Sequence, residues 1–219
     1  MASERITFKT PDFVTIAGDW NLPAGAKKAV LLLHMMPAAR QSFEPLTAEL
    51  NKAEFATLAI DLRGHGESTD MGGKKLDYKS FEDADHQNSR LDVDAALNFL
   101  KGKGFDENSI SFVGASIGAN LALDALHRYK ETSKAVLLSA GLDYRGVKTE
   151  QAMKGLNPNQ QVWLVAAQGD EYSAQSSDRL YQTKKEGTAM KIFKGADHGT
   201  NLFKSESALI PDIVKFLTD

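Results

Sequence analysis

Ile110-Ser-Phe-Val-Gly114-Ala-Ser116-Ile-Gly118-Ala-Asn-Leu-Ala-Leu123 joins two kinds of hydrophobic pattern. Residues 110–113 are β-prone and run into a Gly-x-Ser-x-Gly turn. An apolar, Ala- and Leu-rich run over 117–126 follows at helical spacing. The stretch predicts a strand, a sharp turn with Ser116 at its apex, and a buried helix. Glycines on either side let a strained turn pass close to its neighbours without Cβ atoms. The hydroxyl then projects from the end of a sheet, and the helix aims its first amides at the same point. Taken alone, the same five residues also describe an ordinary strand-to-helix turn in which Ser116 caps the helix. Its partners elsewhere in the chain decide between the two.

Outward from this unit, apolar runs at 29–33, 55–60 and 135–138 read as buried strands, the first continuous enough to be covered on both faces, and 162–166 and 190–193 read as the next and the last strand. Helical patterns fall at about 43–53, at 173–185 and at 211–217. Another is marked by Val93, Ala96, Leu97 and Leu100 at i, i+3, i+4 and i+7. Two alternating runs, Ile6-Thr-Phe8 and Phe13-Val-Thr-Ile16, predict a β-hairpin at a sheet edge. Residues 69–80 read as an exposed loop, and 142–160 as a polar connection. Strands alternating with helices predict an α/β fold: a doubly wound, mainly parallel sheet with an N-terminal antiparallel hairpin. At 219 residues one domain spanning 1–219 is expected.

Composition narrows the function classes. A net charge of −3 gives no electrostatic reason for a nucleic acid or anionic membrane partner. The absence of cysteine excludes disulfides, thiolate metal sites and thiol nucleophiles. Met1-Ala-Ser-Glu-Arg-Ile-Thr-Phe-Lys lacks the basic-then-apolar order of a signal peptide, and no apolar run approaches the ~20 residues that span a bilayer. A soluble, cytoplasmic protein is the expectation. Gly64-His-Gly66 and Gly102-Lys-Gly104 lack a third glycine and no Gly-Lys-Ser/Thr occurs, so no phosphate-cradling loop is expected.

A serine hydroxyl is a poor nucleophile at neutral pH unless a base takes its proton and something holds the base. Asp170 follows the 162–166 run in Gln168-Gly-Asp170-Glu171, and His198 follows the 190–193 run in Gly195-Ala-Asp197-His198-Gly199. A turn carboxylate and a solvated loop histidine are the alternative readings of these two residues. The strand ends of an open α/β sheet converge on one edge, so all three side chains are expected to meet there.

The Gly-x-Ser-x-Gly turn, this order of serine, acid and histidine, and Asp61-Leu-Arg63-Gly64-His65-Gly66-Glu-Ser68 together resemble the α/β-hydrolase family. The resemblance covers nearly the whole chain and points to a small serine esterase without a large cap domain. It implies a catalytic triad of Ser116, Asp170 and His198, with Glu171 and Asp197 as fallback acids. It also implies an oxyanion hole built from the amides of Ile117 and Met36. Met35 stands where relatives usually carry glycine. With Met36 it suggests a sulfur-lined, narrower acyl pocket, although both methionines equally suit core filling. Met35, Met36 and Tyr144 are the expected substrate-binding residues, and Met153 and Leu156 join Tyr144 as a rim. The interval 142–160 is too short for a cap domain and reads as a flap. Arg63 has an architectural part and His65 no catalytic one. His34 is expected to bond loop backbone, and His86 and His127 to lie on helix surfaces. No metal site and no cofactor are expected.

The expected function is a carboxylesterase acting on small soluble esters, its activity falling in acid as His198 protonates. A thioesterase or acyltransferase using the same residues is the alternative within enzymes. A non-catalytic binding module on the same fold is the alternative outside them.

Overall fold

The runs at 29–33, 55–60, 110–113, 135–138 and 162–166 become interior strands because a strand with helices on both faces has no polar side to present, whereas 190–193 becomes the partly exposed edge strand. The computed structural model describes residues 3–219; Met1 and Ala2, where the N-terminal stretch read above begins, lie outside them. It starts with an antiparallel pair, β1 (Glu4–Lys9) and β2 (Val14–Asn21), followed by β3 (Lys28–Leu33), helix α1 (Glu44–Lys52) and β4 (Phe55–Ile60). A small hairpin, β5 (Asp70–Met71) and β6 (Lys74–Lys75), precedes α2 (Asp83–Gln87) and α3 (Ser89–Gly102). Next come β7 (Ile110–Ala115), α4 (Ile117–Arg128), β8 (Lys134–Leu138), a ribbon of β9 (Asp143–Tyr144) and β10 (Val147–Lys148), and α5 (Glu150–Lys154). β11 (Gln161–Ala167), α6 (Glu171–Thr183), β12 (Thr188–Phe193), α7 (Leu202–Ser205) and α8 (Leu209–Thr218) complete the described chain.

One sheet runs in the order β12-β11-β8-β7-β3-β4-β2-β5-β6, with β1 on β2. From β12 to β4 every neighbouring pair is parallel; β2 is antiparallel to β1, β4 and β5. The predicted mainly parallel sheet and antiparallel N-terminal pair are therefore both present. Side chains alternate across it. In β3, Leu31 and Leu33 enter the layer shared with α3 and α4, and Val30 and Leu32 the layer shared with α1 and α8. The strand order reverses at β3, which lies between β4 and β7, so the crevice beyond the carboxyl ends of β3 and β7 is where such a sheet takes a ligand.

Four local expectations change. The 69–80 stretch is not only loop, since Val14 and Thr15 of β2 pair with Met71 and Asp70. The 142–160 connection folds as ribbon plus helix, with Arg145 and Gly146 both left-handed at the turn, as a two-residue hairpin loop requires. Met153 and Leu156 are buried in the layer beside α4 and form no rim. His86 is also buried, packing edge-on against Phe81, because α2 lies against the body of the protein.

Candidate active site

The turn between β7 and α4 holds Ser116 at φ 55° and ψ −122°, a left-handed conformation that costs a non-glycine residue about 1–3 kcal/mol. Backbone bonds on both sides hold it there. The Ser116 amide donates to the Leu138 carbonyl (2.8 Å), and its carbonyl accepts from the amides of Ala119 and Asn120. The flanking glycines answer to close approach. A Cβ on Gly114 would lie 2.1 Å from the Gly118 carbonyl oxygen, and one on Gly118 would lie 2.1 Å from that of Leu33. Thus α4 is pressed against the ends of β3 and β7.

Asp170 lies just past β11 and directly precedes α6, and His198 follows β12. Across 28 residues of chain the two meet: His198 Nδ1 and Asp170 Oδ2 are 2.7 Å apart. The loops that carry them are stitched together as well, the Gly169 amide donating to the Gly195 carbonyl at 2.6 Å. Glu171 and Asp197 are exposed and hydrogen-bond neither ring nitrogen. Among the described residues no hydrogen bond joins the Ser116 hydroxyl to His198, a contact that commonly tightens only when substrate is bound.

Tyr144 lies near both groups. Its ring is edge-on to His198, with centroids 6.4 Å apart, and its hydroxyl bonds Ser173 Oγ at 3.0 Å. Burial pushes its phenol above the usual value, opposed by the hydroxyls of Ser173 and Ser116. Ser173 carried no signal in the sequence, because a small polar residue on an amphipathic helix is unremarkable until its neighbour is known.

The amides of Ile117, first in α4, and Met36, beyond β3, donate to no acceptor among the described residues. Met35 keeps an ordinary backbone, so a side chain costs nothing where relatives carry glycine. That side chain is turned inward. Its sulfur lies beside Gly199 and 3.9 Å from Thr200 Oγ1, in the layer with Ala115. Met36 is half-buried and packs on the opposite layer.

The Asp61–Ser68 signature is architectural. Buried Asp61 accepts from the amides of Arg40 and Glu67 and pairs with the Arg40 guanidinium, while Arg63 bridges Asp12 (2.7 Å) and Asp92 (2.8 Å). His34 is fully buried, donating from Nδ1 to the Met35 carbonyl and accepting the Leu62 amide on Nε2. Burial, with His65 beside it, pushes its pKa from 6.5 down to about 4. Burial lowers His65 and His86 as well. Since the folded values lie below the unfolded one, this stability is complete above pH 6.5 and is lost as pH falls toward 4. Denaturant titrations at pH 7 and pH 4.5 should show that decline; equal unfolding free energies would contradict it.

Among the described residues no group of three or more metal-ligating side chains is poised to hold an ion, and no helix is long and apolar enough to cross a membrane. A family model described as serine aminopeptidase, S33, matches residues 24–185. The chain belongs to this α/β-hydrolase family. A curated relative in the hydrolase superfamily, protein YisY of Bacillus subtilis, is 31% identical over 134 residues. That alignment covers 60% of this chain but only 44% of the relative. An esterase from Pyrococcus furiosus superposes with a TM-score of 0.79 at 18% identity, covering 99% of this hydrolase and 90% of that chain. A thioesterase domain from the curacin biosynthetic pathway superposes at 0.74 and 13% identity, covering 98% and 99%. At such identities the two superpositions show a shared fold.

Proposed function

We propose that this α/β hydrolase cleaves carboxylic esters of small substrates through an acyl-enzyme on Ser116. The observation that carries the reading is the His198–Asp170 bond at the sheet edge where the elbow raises Ser116. With Nδ1 committed to Asp170, His198 offers Nε2 as the base. It removes the Ser116 proton as Oγ bonds to the acyl carbon, and the carbonyl electron pair moves to oxygen. The free amides of Ile117 and Met36 receive that oxyanion. When the tetrahedral adduct collapses, the alkoxy leaving group takes the proton from His198. Water, deprotonated by the same imidazole, then releases the acid and restores Ser116.

Tyr144, edge-on to His198 and seated on the β9–β10 ribbon, supports an acyl pocket of short reach. The test is a fluorophosphonate probe followed by mass spectrometry of the modified peptide, together with a p-nitrophenyl ester series. Label is expected on Ser116, with turnover falling beyond the four-carbon acyl group. Label on any other residue would overturn the assignment, and faster turnover of matched acyl thioesters would move it to a thioesterase.

A further inference from the structure

The loop carrying His198 is clamped at both ends, and only one clamp is a side chain. Before the histidine, the Gly195 carbonyl accepts the Gly169 amide, one residue from Asp170. After it, the Gly199 amide donates to Ser139 Oγ at 2.9 Å. Ser139 immediately follows β8, is wholly buried, and sits at φ 53°, in the left-handed region that serine seldom occupies. Its own amide donates to the Val165 carbonyl at 2.7 Å, just as the Ser116 amide donates to Leu138 one strand away. Two adjacent parallel strands thus end in left-handed serines. One is the elbow, and the other points its hydroxyl at the histidine loop.

The partner residue is equally constrained. Gly199 is itself left-handed, and a Cβ there would lie 2.6 Å from the Met35 sulfur, so the loop passes over Met35 with no room to spare. An unpaired buried amide at Gly199 would be free to turn, and His198 is the next residue back. On that geometry we propose that Ser139 is a positioning residue for His198, holding the loop that carries the imidazole at the residue after it, as Asp170 holds the ring itself. The proposal rests on the ester-hydrolysis reading above, because it assigns Ser139 its part through His198.

The plain alternative is that Ser139 Oγ only satisfies a buried amide. Two variants separate them. Ser139→Ala removes the acceptor and keeps the backbone strain; Ser139→Gly removes the acceptor and relieves the strain. Turnover of p-nitrophenyl acetate should be normalised to active sites titrated with a fluorophosphonate, and melting midpoints recorded alongside. Both variants are expected to lose about tenfold to a hundredfold in kcat with little change in KM, the scale on which small misplacements act. The glycine variant should melt higher than the alanine variant. Wild-type kcat per titrated site in either folded variant overturns the proposal, as does a glycine variant whose kcat recovers with its stability. Absence of label on Ser116 in the unmodified protein overturns the ester-hydrolysis reading itself, so the two failures are distinct.

Discussion

Ser116→Ala is expected to lower kcat for short esters by roughly a million-fold while leaving the fold intact. The fold survives because the elbow is held by the Ser116 amide and carbonyl, which alanine keeps, and not by Oγ. Alanine is also no worse than serine at φ 55°, where both pay for a Cβ. Turnover is lost because, in the proposed mechanism, Oγ is the atom that bonds to the acyl carbon. His198→Ala should lose as much, and the double variant no more, since the two act as a unit. Asp170→Asn should cost roughly ten-thousand-fold, because an amide at 2.7 Å from Nδ1 favours the wrong tautomer. Burst and steady-state kinetics with p-nitrophenyl acetate measure all four. A Ser116→Ala protein retaining more than about a thousandth of the activity would remove the serine from the mechanism.

These residues differ in how far the sequence disclosed them. The strand at 110–113, its turn and the helix after it are local features, written in a change of period from strand to helix beside two glycines. Asp170 and His198 needed one more step, the rule that ends of parallel strands share an edge, and the structure brings their side chains into contact. Beyond that, residue type ceased to be informative. Met153, Leu156 and His86 sit in stretches polar enough to pass for surface, and only the packing of α5 and α2 buries them. The burial of Met35 under the histidine loop depends on Gly199, 164 positions later. Ser139 is the extreme case, since its significance lies in a backbone torsion and in a partner amide 60 residues away.

Gly118→Ala is expected to be severely damaging, costing more than about 4 kcal/mol or preventing folding altogether. Alanine for glycine inside a helix ordinarily stabilises by about 1 kcal/mol, so the sign of the result is diagnostic. Here the added methyl carbon would lie 2.1 Å from the Leu33 carbonyl oxygen and 2.6 Å from that of His34. Both are backbone atoms of the central strand and its exit, so neither can swing aside as a side chain would. Relief requires α4 to withdraw from β3, separating the Ile117 amide from the Met36 amide two residues past His34. Any folded fraction should therefore combine low stability with a kcat loss per titrated site. Gly102→Ala supplies the control: it ends α3, its added Cβ meets nothing within 4 Å, and it should be neutral or slightly stabilising. Denaturant unfolding of the two variants against the parent decides the matter. A Gly118→Ala protein as stable as Gly102→Ala would mean that α4 does not press on the central strand, and that the two amides proposed for the oxyanion are not held together by that contact.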